Sequence, residues 1–112
     1  MDKVILGLTE PVTLLGKGKR TVTARIDTGA TKSSMDIHLA EELELQSTKS
    51  KLVKSASGSK HRPIVRAKIK MDGLTIEEEF TLADRSHMTY PVLIGQNVLK
   101  KGNFLIDPHK TI

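Results

Sequence analysis

Two runs of alternating apolar residues meet at Asp72-Gly73, and no other stretch of this 112-residue chain restricts its fold as strongly. Asp-Gly supplies the two central residues of a type I′ turn, whose twist matches that of flanking antiparallel strands. Ile64 to Met71 and Leu74 to Leu82 are therefore expected to form a hairpin. Leu74, Ile76, Phe80 and Leu82 share one face of the second arm, since side chains alternate along a strand. Glu78 falls on that same face, which requires either a solvated sheet edge there or a bulge. Another hairpin signal, Gly16-Lys17-Gly18-Lys19, follows Val12-Thr13-Leu14-Leu15 and precedes a run in which Val22, Ala24 and Ile26 alternate with Thr21, Thr23 and Arg25.

Short strands separated by turn signals recur along the chain. Val4-Ile5-Leu6 is expected to be one, cut off from Val12 to Leu15 at Glu10-Pro11, and Pro91 to Gly95 and Asn103 to Pro108 add two more. Leu52-Val53-Lys54 and Ile64 to Met71 read as extended arms joined by the polar tip Ser55 to Lys60, which has no apolar anchor beyond Ala56 and is expected to be mobile. Only two helices are expected. One runs from about Asp36, as its cap, to Leu45, with Ile37, Leu39, Ala40 and Leu43 on an apolar stripe and Glu41, Glu42 and Glu44 facing water. The other runs from about Gln96 to Lys101. Mostly β, a closed barrel with two short helices, is the architecture this pattern predicts.

A chain of this length is expected to form a single domain over residues 1–112 with a core of its own. Absence of cysteine removes disulfides and thiolate metal sites, and no leading apolar run has the length of a signal peptide or membrane span. A soluble, cytoplasmic protein without a membrane partner is the expectation. The formal charge of +5 is unevenly spread: Lys49 to Lys70 carries eight cations and no acid, while acids gather at Glu41, Glu42 and Glu44 and at Glu77, Glu78 and Glu79. Such a basic strand pair suits phosphate or an acidic peptide, and equally a solvated edge whose lysines discourage pairing with another chain. Aromatics limited to Phe80, Tyr90 and Phe104 argue against nucleic acid, since little is left to stack on bases.

Chemistry concentrates at Asp27-Thr28-Gly29-Ala30, where a carboxylate follows an alternating run and precedes a glycine able to hold it on a tight loop. Asp-Thr-Gly is also ordinary turn chemistry. A second, distant segment, Val92-Leu93-Ile94-Gly95-Gln96-Asn97-Val98-Leu99, runs apolar residues into a glycine that permits close backbone approach. Together the two segments resemble retropepsin-like aspartic proteases. With Arg62-Pro63-Ile64-Val65-Arg66, Asp84-Arg85-Ser86-His87-Met88 and Gly102 to Pro108, the chain from about residue 12 to 110 is similar to a microbial family named for ATP-dependent zinc proteases, whose members look like retropepsins despite the name.

That resemblance implies a retropepsin-like β-barrel and an aspartic endopeptidase acting on peptide or protein substrates, with Asp27 as acid and base. It further implies that Thr28 ties two loops together across a symmetry axis, that Gly29 and Ala30 shape the loop beside substrate, that Gly95 threads next to it, and that Ser57-Gly58-Ser59 is a flap tip, although retropepsin flaps are usually richer in glycine. One Asp-Thr-Gly in so short a chain implies a homodimer, each subunit supplying one Asp27. The family's association with ATP-grasp peptide ligases implies a peptide-modification setting. No cofactor and no metal are expected: His38, His61, His87 and His109 form no H-E-x-x-H or other close ligand pair. Asp36, at a helix start, and Asp107, before Pro108, are expected to be structural. The rival reading is a protease fold kept as a non-catalytic dimerisation or peptide-binding module.

Overall fold

A computed structural model describes residues 2–55 and 58–111, with the backbone alone over 48–55 and 58–60. In chain order its elements are β1 (Val4–Leu6), β2 (Thr9–Gly16), β3 (Gly18–Ile26), β4 (Ser33–Asp36), α1 (Ile37–Glu42), β5 (Ser47–Ser55), β6 (Gly58–Met71), β7 (Leu74–Ala83), β8 (Val92–Ile94), α2 (Gln96–Leu99) and β9 (Phe104–Ile106).

Both hairpin signals act as turns. Asp72 and Gly73 take the left-handed φ values of 48° and 83° that a type I′ turn needs, and Gly18 does likewise at 89°. The strand order β2-β3-β8-β4-β7-β6 closes on itself because β2 also pairs with β6, through Thr13 to Leu15 against Lys68 to Lys70, while β5 extends β6 outside the ring. Closure removes the open edges that such strands would otherwise present. Val12, Leu14, Met35, Val65, Ile69, Phe80, Val92 and Ile94 fill the interior with at most trace exposure. Burying Phe80 alone stabilises the barrel by roughly 2 to 3 kcal/mol. The expected mostly β barrel with two short helices is therefore the fold observed.

Several local expectations are corrected. β2 runs straight through Glu10-Pro11. It meets β6 only from Thr13 onward, so one side of the strand is unpaired at Pro11 and its missing N–H breaks no ladder there. Glu10 is fully buried, accepting the Gly7 N–H at 2.6 Å and the Lys110 ammonium at 3.0 Å. β7 has no bulge at Glu78, because its pairing with β6 is in continuous register from Ile64 to Met71. Instead Lys101 lies 3.5 Å from the Glu78 carboxylate, which also accepts the Glu79 N–H at 2.9 Å.

α1 stops at Glu42, short of Leu45. Leu45 N–H returns to the Ala40 carbonyl and Glu44 N–H to that of Glu41, with Glu44 at φ 53°, a Schellman closure in which glutamate occupies the usual glycine position. Asp36 occupies the cap position without capping, since its side chain is engaged elsewhere. α2 likewise ends at Leu99 rather than Lys101. β4 gives no alternating signal, being mostly polar and wedged between β7 and β8. Among the described residues, no helix is long and apolar enough to cross a membrane.

Candidate active site

β3 delivers Asp27 to the loop that follows its last residue, Ile26. Parallel pairing of Ala24 to Ile26 with Val92 to Ile94 places the two singled-out segments side by side. Asp27 N–H then donates to the Ile94 carbonyl at 2.9 Å, so the ladder extends one step into the loop. The loop closes on itself through Gly29 N–H, which donates to Asp27 Oδ1 at 3.0 Å, and Ala30 N–H, which donates to the Asp27 carbonyl at 3.3 Å. One carboxylate oxygen is thus oriented by a backbone donor.

Gly29 differs in its reason from the sequence-based expectation. Its φ is not among the positive values, so conformational freedom does not explain it. What matters is space beside the carboxylate: a Cβ at residue 29 would lie 3.3 Å from Asp27 Oδ1. Gly95, by contrast, is a close-approach glycine, since a Cβ there would stand 2.2 Å from the Lys32 carbonyl oxygen and 2.8 Å from that of Ala30.

Behind the loop lies a polar network that sequence reasoning missed. Ser33, fully buried, receives the Gly95 N–H on its hydroxyl at 2.9 Å and donates to Asn97 Oδ1 at 2.8 Å. Asn97 Nδ2 donates in turn to the Glu79 carbonyl at 2.9 Å, linking the loop to β7. Gln96 N–H and Asn97 N–H donate to the Ala30 and Thr31 carbonyls at 2.7 and 3.2 Å, and Gln96 Nε2 donates to the Thr28 carbonyl at 2.8 Å. The signal for these residues was present as Gly-Gln-Asn after an apolar run, but their partners lie in a distant part of the chain.

Ser57 of the expected flap tip lies outside the described residues, as does the mobility expected around it. Gly58 and Ser59 belong to β6, opposite Ser55 and Lys54, so the arms approach the turn more closely than the sequence suggested. Cavities of about 470 Å³ and 300 Å³ are lined by the β6–β7 turn and by the flank of β1, not by the Asp27 loop.

Asp36, His38 and Asp84 gather with ligand-type atoms within 4.8 Å of one another, a proximity hidden from spacing because Asp84 comes from a distant loop. One oxygen of each carboxylate is already engaged. Asp36 Oδ1 accepts the Arg85 N–H at 2.8 Å, and Asp84 accepts both the N–H and the hydroxyl of Ser86. The Ser86 hydrogen bonds hold the Asp84 carboxyl below its ordinary range. Arg85 is partly buried, which lowers its pKa, and it feels the charges of both Asp36 and Arg62. Asp107, for its part, closes a turn by accepting the His109 N–H at 2.9 Å.

The family model described as RimB-like, retropepsin-like aspartic endopeptidase RimB, matches residues 36–112. The chain belongs to the RimB-like family. The RimB-like match begins after the Asp27 loop, so it carries α1, the strands from β5 onward and the Gly95 segment. No curated protein matches the chain. Among solved structures, a Legionella pneumophila protein of unknown function is similar over 99% of this chain and 98% of its own, at 22% identity and a TM-score of 0.72. The simian foamy virus protease is similar over 82% of this chain and 91% of its own, with 20% identity and a TM-score of 0.63. The EIAV protease, solved with the inhibitor HBY-793, is similar over 83% and 85%, with 18% identity and a TM-score of 0.63. These likenesses establish that this RimB-like chain has the retropepsin-like fold.

Proposed function

We propose that this RimB-like chain is an aspartic endopeptidase that works as a homodimer, with the Asp27 of each subunit forming the catalytic pair. The observation that carries the reading is the Asp27 carboxylate at the end of β3, oriented by Gly29 N–H on a loop packed against Gly95. A lone carboxylate cannot both accept a proton from water and supply one to the scissile carbonyl. Two of them about 3 Å apart can, because like charges at that distance share a single proton. In the proposed step the charged carboxylate takes a proton from water as its oxygen bonds to the carbonyl carbon, and the protonated one donates to the carbonyl oxygen. Collapse of that adduct breaks the C–N bond, with a proton passing to the leaving amine.

Thr28 would tie the two loops across the axis, and Gly29 and Ala30 would offer backbone groups to the substrate. The β5–β6 hairpin with Ser57, Gly58 and Ser59 would cover it. Cytoplasmic location and association with an ATP-grasp peptide ligase belong to the same proposal, the association resting on resemblance alone.

Asp27→Asn keeps the side chain's shape and removes the ionisable group from both halves of the pair. Digestion of a peptide library from acidic to neutral pH, with and without chelator, is expected to show cleavage by wild type in both conditions and none by Asp27→Asn. Equal cleavage by the two proteins would sink the aspartic mechanism. No cleavage by a dimeric wild type would favour the non-catalytic module.

A further inference from the structure

We infer that Gln96 is a positioning residue for the Asp27 loop, acting through the Thr28 carbonyl. The inference rests on the proposed role of Asp27 and assigns to Gln96 a task that the apolar-Gly pattern did not. Two kinds of bond join α2 to this loop. Gln96 N–H and Asn97 N–H reach the Ala30 and Thr31 carbonyls, and any residue but proline at those positions would supply them. The bond from Gln96 Nε2 to the Thr28 carbonyl, at 2.8 Å, depends on the side chain. It reaches the residue next to Asp27, on the exposed tip of the loop.

The base beneath Gln96 is stiff. Gly95 has the Ala30 and Lys32 backbone against it, and Asn97 is anchored through Ser33 and Glu79. Gln96 therefore extends from a fixed platform and holds Thr28, which those backbone bonds do not reach. Along the chain Thr28 links Asp27 to Gly29, whose N–H orients the carboxylate. A shift of Thr28 moves both. Chemistry that needs two carboxylates near 3 Å tolerates little displacement, and a misplacement of about 1 Å can cost on the order of a hundredfold in rate.

Donor capacity, rather than size, is the property that counts. Gln96→Glu has nearly the same shape but presents a carboxylate to the Thr28 carbonyl, which cannot donate to it when ionised. Gln96→Ala removes the group. Gln96→Arg restores a donor of sufficient reach.

The test compares these variants with wild type at concentrations where sedimentation shows a dimer, using peptide cleavage and amide hydrogen exchange at Thr28, Gly29 and Ala30. Gln96→Glu and Gln96→Ala are expected to lower kcat at least tenfold with KM within twofold, to exchange faster at the loop tip, and to melt close to wild type. Gln96→Arg is expected to return kcat to within about threefold of wild type. Unchanged kcat in Gln96→Ala would overturn the assignment, as would an Arg variant as impaired as the Ala variant. If wild type cleaves nothing, the proposed enzyme fails, and exchange alone decides the tether: unaltered rates in Gln96→Ala overturn it, and faster rates confined to the loop tip support it.

Discussion

Gly95 shows how much one missing side chain decides. Any Cβ at that position would overlap the Lys32 carbonyl, which is main chain and cannot turn aside as a flexible side chain could. Gly95→Ala is therefore expected to destabilise the fold by about 2 kcal/mol or more, measured by chemical denaturation. Gly29→Ala should behave differently, because its Cβ would meet only the Asp27 carboxylate at 3.3 Å and its φ is not left-handed. Its stability is expected to stay within about 1 kcal/mol of wild type. Cleavage should still fall, since the atom displaced is the carboxylate oxygen itself. Near-wild-type activity in Gly29→Ala would show that the carboxylate accommodates the methyl group without leaving its working position.

At the scale of elements, a buried carboxylate adds to the packing of Leu6, Val4, Phe104 and Ile106 on the core in holding β1 and β9. β1 and β9 pair with each other in parallel, apart from the main sheet. Lys110 crosses them, donating to the Ile5 carbonyl at 2.6 Å and reaching Glu10 and Asp72 at 3.0 and 3.3 Å. Burial opposes the Lys110 charge, but its bonds to Glu10 and Asp72 outweigh that and raise its pKa above the ordinary value of 10.5. A group raised on folding contributes stability that is complete below its unfolded value and fades as pH climbs through the folded one. Lys110→Met should thus cost roughly 1 to 3 kcal/mol from neutral pH up to about 10.5, with the difference from wild type shrinking at higher pH. Denaturation of both proteins across that range is the check, and a pH-independent difference would assign the loss to packing of the lysine stem.

For the whole molecule, the proposed pair predicts a dependence on assembly. Mixing wild type with excess Asp27→Asn should lower activity more steeply than dilution of wild type does, because mixed dimers hold only one competent carboxylate. A purely linear fall, in a mixture shown to exchange subunits, would mean that each subunit works alone. The barrel was legible in the sequence because hairpins are local: Asp72-Gly73 and Gly16 to Lys19 set their turns whatever surrounds them. Asp27 and Gly95 were legible for the same reason, as strand ends meeting turn residues. Other features needed distant partners. β4 became a strand only because β7 and β8 flank it, and Glu44 closes α1 in a conformation its own type disfavours because Ala40 and Glu41 carbonyls await donors. Burial of Glu10 depends on Lys110, and the hold of Gln96 on Thr28 depends on strands that lie far apart in the chain. Local backbone preference and alternation act over a few residues, so the sequence alone determined turns, strand faces and the carboxylate's place. Pairing of side chains across the barrel is decided by closure, and only the tertiary structure could supply it.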